Sequence, residues 1–514
     1  MKPNAESTFS NGHRGTTTLV WFKRDLRIED HAPLLRASQE GTCVCLYVYE
    51  PELLAAPDVS ATHVAFINGC LAELGEQIEA LGGQLVIRRG DIVDVLSDLN
   101  RTVGFRRIRS HQETGTEVTY RRDLRVKRWA EEHNIEWIET RQHGVFRGQK
   151  DRNGWAAKWN ADMSCPQTPA LSGLQTISGL ASTGILSTAE LGLGAPPQTE
   201  VQSPGSRAAL RTLHEFLHQR GEPYQKAMSS PLEGATACSR LSPYLAYGAL
   251  SMRQVYQSYQ RRAHELRTRK KEGEQGLGTW SRSLSSFNKR LHWNGHFTQR
   301  LESDPSIEKR PLVRAFEGIR SEAPNLEHFE AWKEGRTGYP MVDACMRFLN
   351  ATGWLNFRMR SMLVSFASYH LWLPWQMTGT YLARRFLDYE PGIHYNQLQM
   401  QSGVTGINAI RIYAPTKQAL DQDPEGTFIR RWVPELENLP LRWLAEPHHI
   451  DMIDRHQSGF VPGESYPLPI VEHREAVRAA RDRIFAVRRT DEAKAQAQDV
   501  LKRHGSRRKR RGRH

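Results

Sequence analysis

Residues 334–360 read EGRTGYPMVDACMRFLNATGWLNFRMR. Tyr339-Pro340 forces an extended residue before the proline, and Pro340 suits the first turn of a helix. Met341, Ala344, Cys345, Phe348 and Leu349 then recur at helical spacing and make one apolar face. Asn350 to Gly353 stops the helix, because glycine takes positive φ at little cost. A second helix starts near Leu355 and sets Arg358 and Arg360 among apolar neighbours, where a guanidinium needs a partner. Outward from this stretch, the pattern from Arg207 to about Arg488 is almost wholly helical and rich in tryptophan.

The N-terminal part reads differently. TTLVWF (17–22) and CVCLYVY (43–49) are short buried-type strand runs, followed by QLVIRR, RIRSHQ and IEWIE. Helical segments lie between them: Val64, Ile67, Leu71, Leu74 and Ile78 recur at helical spacing, Asp91 caps DIVDVLSDL, and a charged helix lies around 116–133. Strands alternating with helices predict an α/β domain with a doubly wound parallel sheet, ahead of the all-α domain. Its usual phosphate signatures are missing: Gly192-Leu-Gly194-Ala-Pro-Pro fails the dinucleotide fingerprint and follows no strand. The expected divisions are a disordered lead-in at 1–16, the α/β domain at 17–149, a Gly/Ser/Pro-rich surface connection at 150–206, the helical domain at 207–488 and a basic tail at 489–514.

The length of 514 residues exceeds what one core usually serves. Hydrophobic (39%) and charged (25%) fractions are those of a soluble globular protein. No apolar run reaches the roughly 20 residues that span a bilayer, and the start lacks a signal core, so a cytoplasmic protein with no membrane partner is expected. Lys+Arg (70) exceeds Asp+Glu (57) by 13, and LKRHGSRRKRRGRH at the end holds no acid, which favours a nucleic-acid partner. A plain solvated basic surface is the other reading. The six cysteines are scattered with no C-x-x-C, so no disulfide framework, zinc site or iron–sulfur cluster is expected.

His214-Glu215-x-x-His218 matches the zinc-protease pattern, in which i and i+4 imidazoles share a helix face. The third histidine of the extended pattern would fall at 224, where Tyr224 stands. Surface histidines on an amphipathic helix are the better reading, and no metal is expected.

Four segments together carry a family resemblance: WFKRDLRIEDHAPL (21–34), CSRLSPYLAYGALS (238–251), AWKEGRTGYPMVDACMRFLNATGW (331–354) and RIYAPTKQALDQDPEGTFIRRWVPEL (411–436). In order and spacing they resemble DNA photolyases and cryptochromes, from Thr17 to about Arg488. The resemblance implies FAD in a U-shaped conformation within the helical domain, and an antenna chromophore of folate or deazaflavin type in the α/β domain. It implies cofactor contacts from Tyr224, from the loop Cys238, Ser239, Arg240, Leu241 and Ser242, and from Asn356, Glu390 and His394. Arg360 and Asp388 match a pair beside the flavin ring, so the arginine of the opening stretch gains its partner. Trp293 matches a tryptophan that packs on a flipped lesion, with a core tryptophan as the plain alternative. Arg290, Asn294, Phe357 and Arg358 match positions facing DNA, and Arg282 and Lys289 are further candidates for gripping its backbone.

Departures are equally specific. Arg290 stands where repairing members of the best-known class carry a glutamate, and Asn356-Phe357 replaces a His-Asn pair. Met400 falls where a second lesion-facing tryptophan is expected. His394 falls at the flavin N5 position, although a two-residue slip would choose Asn396. The three-tryptophan chain that reduces the flavin becomes Leu398, Trp375 and Glu322, with only the middle member retained; Trp372, Tyr389, Tyr395, Trp354 and Tyr413 are other candidates. The resemblance thus implies a monomeric deoxyribodipyrimidine photolyase of a divergent subgroup, acting on ultraviolet lesions in DNA by light-driven electron transfer. The alternative is a cryptochrome photoreceptor without repair activity. Neither cyclobutane nor (6-4) lesions are singled out.

Overall fold

The computed structural model describes residues 17–149 and 151–505. Five parallel strands, β1 (Thr18–Phe22), β2 (Cys43–Tyr49), β3 (Leu85–Arg89), β4 (Arg107–His111) and β5 (Glu136–Thr140), form one sheet in the order β3-β2-β1-β4-β5. The order reverses at β1, which is where ligands bind in open α/β sheets. Strand alternation assigns the two faces. Leu19, Trp21, Val44, Leu46 and Ile108 bury against the helices Ile92–Val103 and Glu117–Glu132. Val20, Phe22, Cys43 and Cys45 bury on the other side, in a core that continues without a break into Trp159, Leu241, Tyr244 and Phe287 of the rest of the chain.

From Ser206 onward the chain is helical, and a separate core centred on the Pro340–Thr352 and Phe357–Ser365 helices fills its middle. The opening stretch folds as read: Tyr339 is extended, Pro340 starts the helix, and Gly353 ends it at φ 68°. Two expectations need correction. The connection at 150–206 is not wholly draped on the surface, since the Trp155–Ser164 helix buries Trp155, Trp159 and Met163 between the two parts. Ordered helix also runs past 488, because Asp491–His504 turns Ala493 and Val500 inward. The lead-in 1–16 and the end of the tail, 506–514, lie outside the described residues.

The two parts meet along a backbone seam. Arg24 donates to the carbonyls of Ala246 (2.8 Å) and Tyr389 (2.8 Å), Arg27 to that of Gly248 (3.0 Å), and Leu26 N–H to that of Tyr247 (3.1 Å). Gly248 has φ 67°, and a Cβ there would lie 2.3 Å from the Arg24 oxygen, so only glycine allows this approach. Behind the seam, the Asp25 carboxylate bridges His31 (3.0 Å) and His111 (2.7 Å). Leu34 N–H donates to His31 Nδ1, which leaves the Nε2 proton for Asp25. Burial would raise the Asp25 pKa, but these hydrogen bonds outweigh it and hold it well below the usual carboxylate value.

Candidate active site

A cavity of about 320 Å³ opens where the helical domain faces the C-terminal ends of β1, β4 and β5. Its wall gathers Tyr224, Cys238, Ser239, Arg240, Leu241, Ser242, Asn356, Arg360, Asp388, Glu390 and His394, residues that span more than 160 positions of sequence.

The loop 238–242 is set by Arg220, whose guanidinium takes the carbonyls of Thr236 (2.7 Å), Cys238 and Ser239 (2.8 Å). With its carbonyls held from behind, the loop turns Ser239 and Arg240 into the cavity. Arg240 sits at φ 59°, left-handed and strained for a residue with a side chain. Its Nε donates to Gln202 (2.9 Å), its guanidinium lies 4.1 Å over the Trp354 ring, and no carboxylate pairs with it among the described residues. Burial lowers its pKa to about 10. A half-buried cation with no salt-bridge partner, beside two serines, suits a diphosphate. The helix that begins at Ser242 has only five residues, so it adds little dipole to the site.

Arg360 grips Asp388 with two parallel hydrogen bonds, both 2.9 Å, and its Nε holds the Leu355 carbonyl at 2.6 Å. Burial would raise Asp388, yet the Arg360 charge keeps its pKa below the usual value. Asn356 donates to the Met228 and Ser229 carbonyls, while its buried Oδ1 has no protein partner. That orphan acceptor, the unpaired Arg240 and the half-open Arg360–Asp388 fork are what a dinucleotide with a polar ring system would satisfy. Burial pushes Tyr224 up to about 12 and Cys238 up to about 11, which keeps both neutral. Burial raises Glu390 against the opposing charge of Arg24. His394 donates to the Gly379 carbonyl (2.9 Å), and burial lowers its pKa to about 4. Asn396 turns away to Arg300 (3.1 Å) and the Phe297 and Gly392 carbonyls, so the wall takes His394 rather than its neighbour two residues on.

The mouth is aromatic and basic. Trp293 (43% exposed) and Phe357 (40% exposed) stand 6.2 Å apart, and the Arg290 guanidinium lies 4.2 Å from the Trp293 ring and 5.6 Å from that of Phe357. Trp293 is therefore not a core residue. Arg290 and Asn294 share this wall, and Arg282 and Lys289 are exposed along the same Trp280–Ser303 helix.

Four expected residues lie off the wall. The Pro391–Gln401 helix presents Ile393, His394, Leu398 and, one turn apart, Gln397 and Gln401; Met400 is rotated away, so glutamines stand where a lesion-facing side chain was expected at 400. Arg358 is half-buried beside the mouth with its Nε unpartnered. Trp375 is buried one turn from Gly379, and a Cβ on Gly379 would meet Leu398 at 2.4 Å, which puts Leu398 between that helix and the cavity. Glu322 is exposed and paired with Arg483 at 3.5 Å.

The sequence reading missed the contribution of the α/β domain: Arg24, Gln112, Glu113, Thr114, Gln142 and His143 complete the wall. The signals available were the strand ends at the order reversal and the left-handed pair His143 (φ 58°) and Gly144 (φ 65°). A second cavity of about 160 Å³ lies over the C-terminal ends of β1 and β2, lined by Trp21, Tyr47, Tyr49, Glu50, His63 and Arg122. Arg24, Glu113 and Tyr389 line both cavities. The protease pattern gathers no site: His214 and His218 are exposed and stacked at 4.6 Å, and among the described residues the only cluster of three potential metal ligands is Asp25, His31 and His111.

Comparison with known proteins agrees with this architecture. Residues 18–154 match the DNA photolyase domain, and residues 287–486 match the FAD binding domain of DNA photolyase. Cryptochrome-2 of Arabidopsis thaliana is 30% identical over 510 residues, covering 93% of this chain and 79% of that protein. A deoxyribodipyrimidine photo-lyase of Agrobacterium fabrum is 28% identical over 493 residues, covering 92% and 98%. A bacterial class III photolyase from Agrobacterium tumefaciens superposes with a TM-score of 0.81 at 24% identity, over 94% of this chain and all of that one. An archaeal photolyase from Sulfolobus tokodaii, solved with two FAD molecules, gives 0.74 at 25% identity over 92% and 100%. An α/β sheet domain joined to a helical FAD-binding domain, with both family domains matched in order and relatives aligned almost end to end, places this chain in the cryptochrome/DNA photolyase family.

Proposed function

We propose that the protein is a light-dependent DNA photolyase acting on pyrimidine dimers. The mouth carries this reading: an exposed tryptophan and phenylalanine with a guanidinium between them, opening directly onto the FAD cavity. Exposed aromatic rings backed by a cation suit stacking of an extruded base, worth about 1–3 kcal/mol per base. A damaged pair stacks poorly, so its extrusion costs less than that of normal bases. FAD, when bound reduced, supplies the photoexcited electron.

The chain's own residues bind, orient and screen. Arg240 with Ser239 and Ser242 holds the diphosphate, and the Asn356 Oδ1 takes a donor of the cofactor. The Arg360–Asp388 fork sets an oriented ion pair beside the ring system, with the ionised Asp388 balancing the guanidinium charge. Neutral His394 contributes no second charge there. Trp293, Phe357 and Arg290 receive the lesion, Asn294 borders it, and Arg358, Arg282 and Lys289 meet the strand outside the mouth. The second, aromatic-lined cavity takes the antenna chromophore.

A cryptochrome photoreceptor is the second reading, favoured by Arg290 in place of an acid and by Asn356-Phe357 and Met400 in place of the usual lesion contacts. Blue-light irradiation of the reduced protein with DNA containing cyclobutane dimers and (6-4) products decides between them. Loss of one lesion type supports repair; retention of both overturns it.

A further inference from the structure

Leu398 carries no redox-active group, and Glu322 is a surface ion-pair partner. Trp375 is set behind Leu398 and off the cavity wall, and two further indoles are poor electron donors for an electrostatic reason. Trp354 lies under the Arg240 guanidinium at 4.1 Å, and Trp372 is flanked by Arg320 (4.4 Å) and Arg483 (5.0 Å). A cation over the ring face makes it costly to leave a positive hole on that ring.

Tyr389 has the opposite environment. It follows Asp388 directly and lines the cavity. Its ring stacks parallel to His63 (12°, 6.1 Å) and edge-on to His394 (84°, 5.1 Å). Its hydroxyl donates to Asp58 Oδ2 at 2.6 Å, and the Tyr395 hydroxyl lies 3.3 Å away. Asp58 is buried, and among the described residues no cation pairs with it. Burial and the neighbouring Tyr395 and Asp58 push the Tyr389 phenol well above its ordinary pKa, so the proton stays on oxygen until an electron leaves.

We propose that Tyr389 is the electron donor that reduces the photoexcited oxidised flavin, with Asp58 as its proton acceptor. The inference rests on the assignment of the cavity to FAD. In the step, Tyr389 loses one electron to the flavin. Its O–H bond breaks, an O–H bond forms on Asp58, and a neutral tyrosyl radical remains; tyrosine is oxidised and the flavin reduced by one electron each. The 2.6 Å separation is within direct proton-transfer reach, and the resulting hole carries no charge to be penalised by burial.

The test is electron paramagnetic resonance of the purified, oxidised, FAD-containing protein under blue light. The expected signal is a tyrosyl radical that narrows when tyrosine is ring-deuterated, a check that needs no variant. Tyr389→Phe keeps the ring stack and abolishes the signal; Asp58→Asn removes the proton acceptor and lowers its yield by about 100-fold; Trp375→Phe leaves it in place. A signal unmoved by deuterated tyrosine, one that persists in Tyr389→Phe, or photoreduction with no tyrosyl signal overturns the inference while the flavin reading stands. Purified protein with no bound flavin overturns the flavin reading itself, which the absorption spectrum reports separately.

Discussion

Asp388→Asn is the sharpest perturbation of the cavity. In the native protein Arg360 makes two charge-assisted hydrogen bonds to Asp388, each 2.9 Å, in fork geometry. Asparagine keeps one acceptor and turns an N–H toward the other guanidinium nitrogen. One hydrogen bond to a charged group is lost, about 1.5–3 kcal/mol, and the arginine charge loses its counter-ion. Breaking a fully buried pair from one side costs about 3–5 kcal/mol. The Arg360 side chain is 23% exposed, so water recovers part of that. The expected loss is therefore about 2–4 kcal/mol in protein stripped of cofactor, read from the urea midpoint with an unchanged slope. Arg360 still holds the Leu355 carbonyl at 2.6 Å and lies 4.1 Å over Phe386, so the helix is not expected to unfold locally. The same variant should also purify with less flavin, because the fork no longer presents an ordered edge to the ring. A loss below about 1 kcal/mol with normal flavin content would refute the pairing as the organising contact of the cavity.

Trp293→Ala should weaken binding to dimer-containing DNA by about 1–3 kcal/mol and leave flavin content unchanged, measured by fluorescence anisotropy; equal affinity would remove the stacking role. Arg290→Glu should raise the quantum yield of dimer repair if the site lacks only an acidic contact, whereas lower repair assigns Arg290 a role of its own, such as a phosphate contact. Gly248→Ala should cost about 2–5 kcal/mol, from left-handed strain plus a clash with Arg24 and Asp25 backbone, seen as a lowered thermal midpoint. Burial lowers His63 and His394 to about 4 each, below the unfolded value near 6.5, so the unfolded chain binds more protons in that window. Stability should thus fall as pH drops below about 6.5 and keep falling toward about 4. The loss should be about 1 kcal/mol per histidine by about pH 5.5, and a glutamine at either position should flatten the profile.

The alternation of buried strands with amphipathic helices was legible because the central strands β1 and β2 are covered on both faces, so their pattern is continuous and the connections carry the helical period. The opening stretch was legible for a local reason: proline, glycine and apolar spacing are all short-range signals, and Tyr339, Pro340 and Gly353 take the conformations they dictate. The Arg360–Asp388 pair spans 28 residues, and only the resemblance supplied it, since nothing in spacing links an arginine on one helix to an acid before another. The Trp155–Ser164 helix was read as loop because its neighbourhood is rich in glycine, serine and proline, and its two tryptophans are buried by partners far along the chain. Met400 failed for a rotational reason. Its neighbour Gln401 shares the face of Gln397 and Leu398, and one residue on a helix turns a side chain by about 100°.

The α/β contribution was illegible because Arg24, Glu113 and His143 sit in loops whose mutual position is set only when the seam closes. That closure explains why one residue serves both halves of the site. Arg24 holds the Ala246 and Tyr389 carbonyls and lies 3.3 Å from Glu390, so docking of the α/β domain and the shape of the FAD cavity are one set of hydrogen bonds. The same docking brings Asp58 to the Tyr389 hydroxyl across 331 residues of sequence. An acceptor supplied by one domain to a donor on the other means that loosening the seam disables electron supply before it empties the cavity. Gly248→Ala, which strains the seam at the Arg24 backbone and leaves the Arg360–Asp388 fork in place, should accordingly slow photoreduction in protein that still retains flavin.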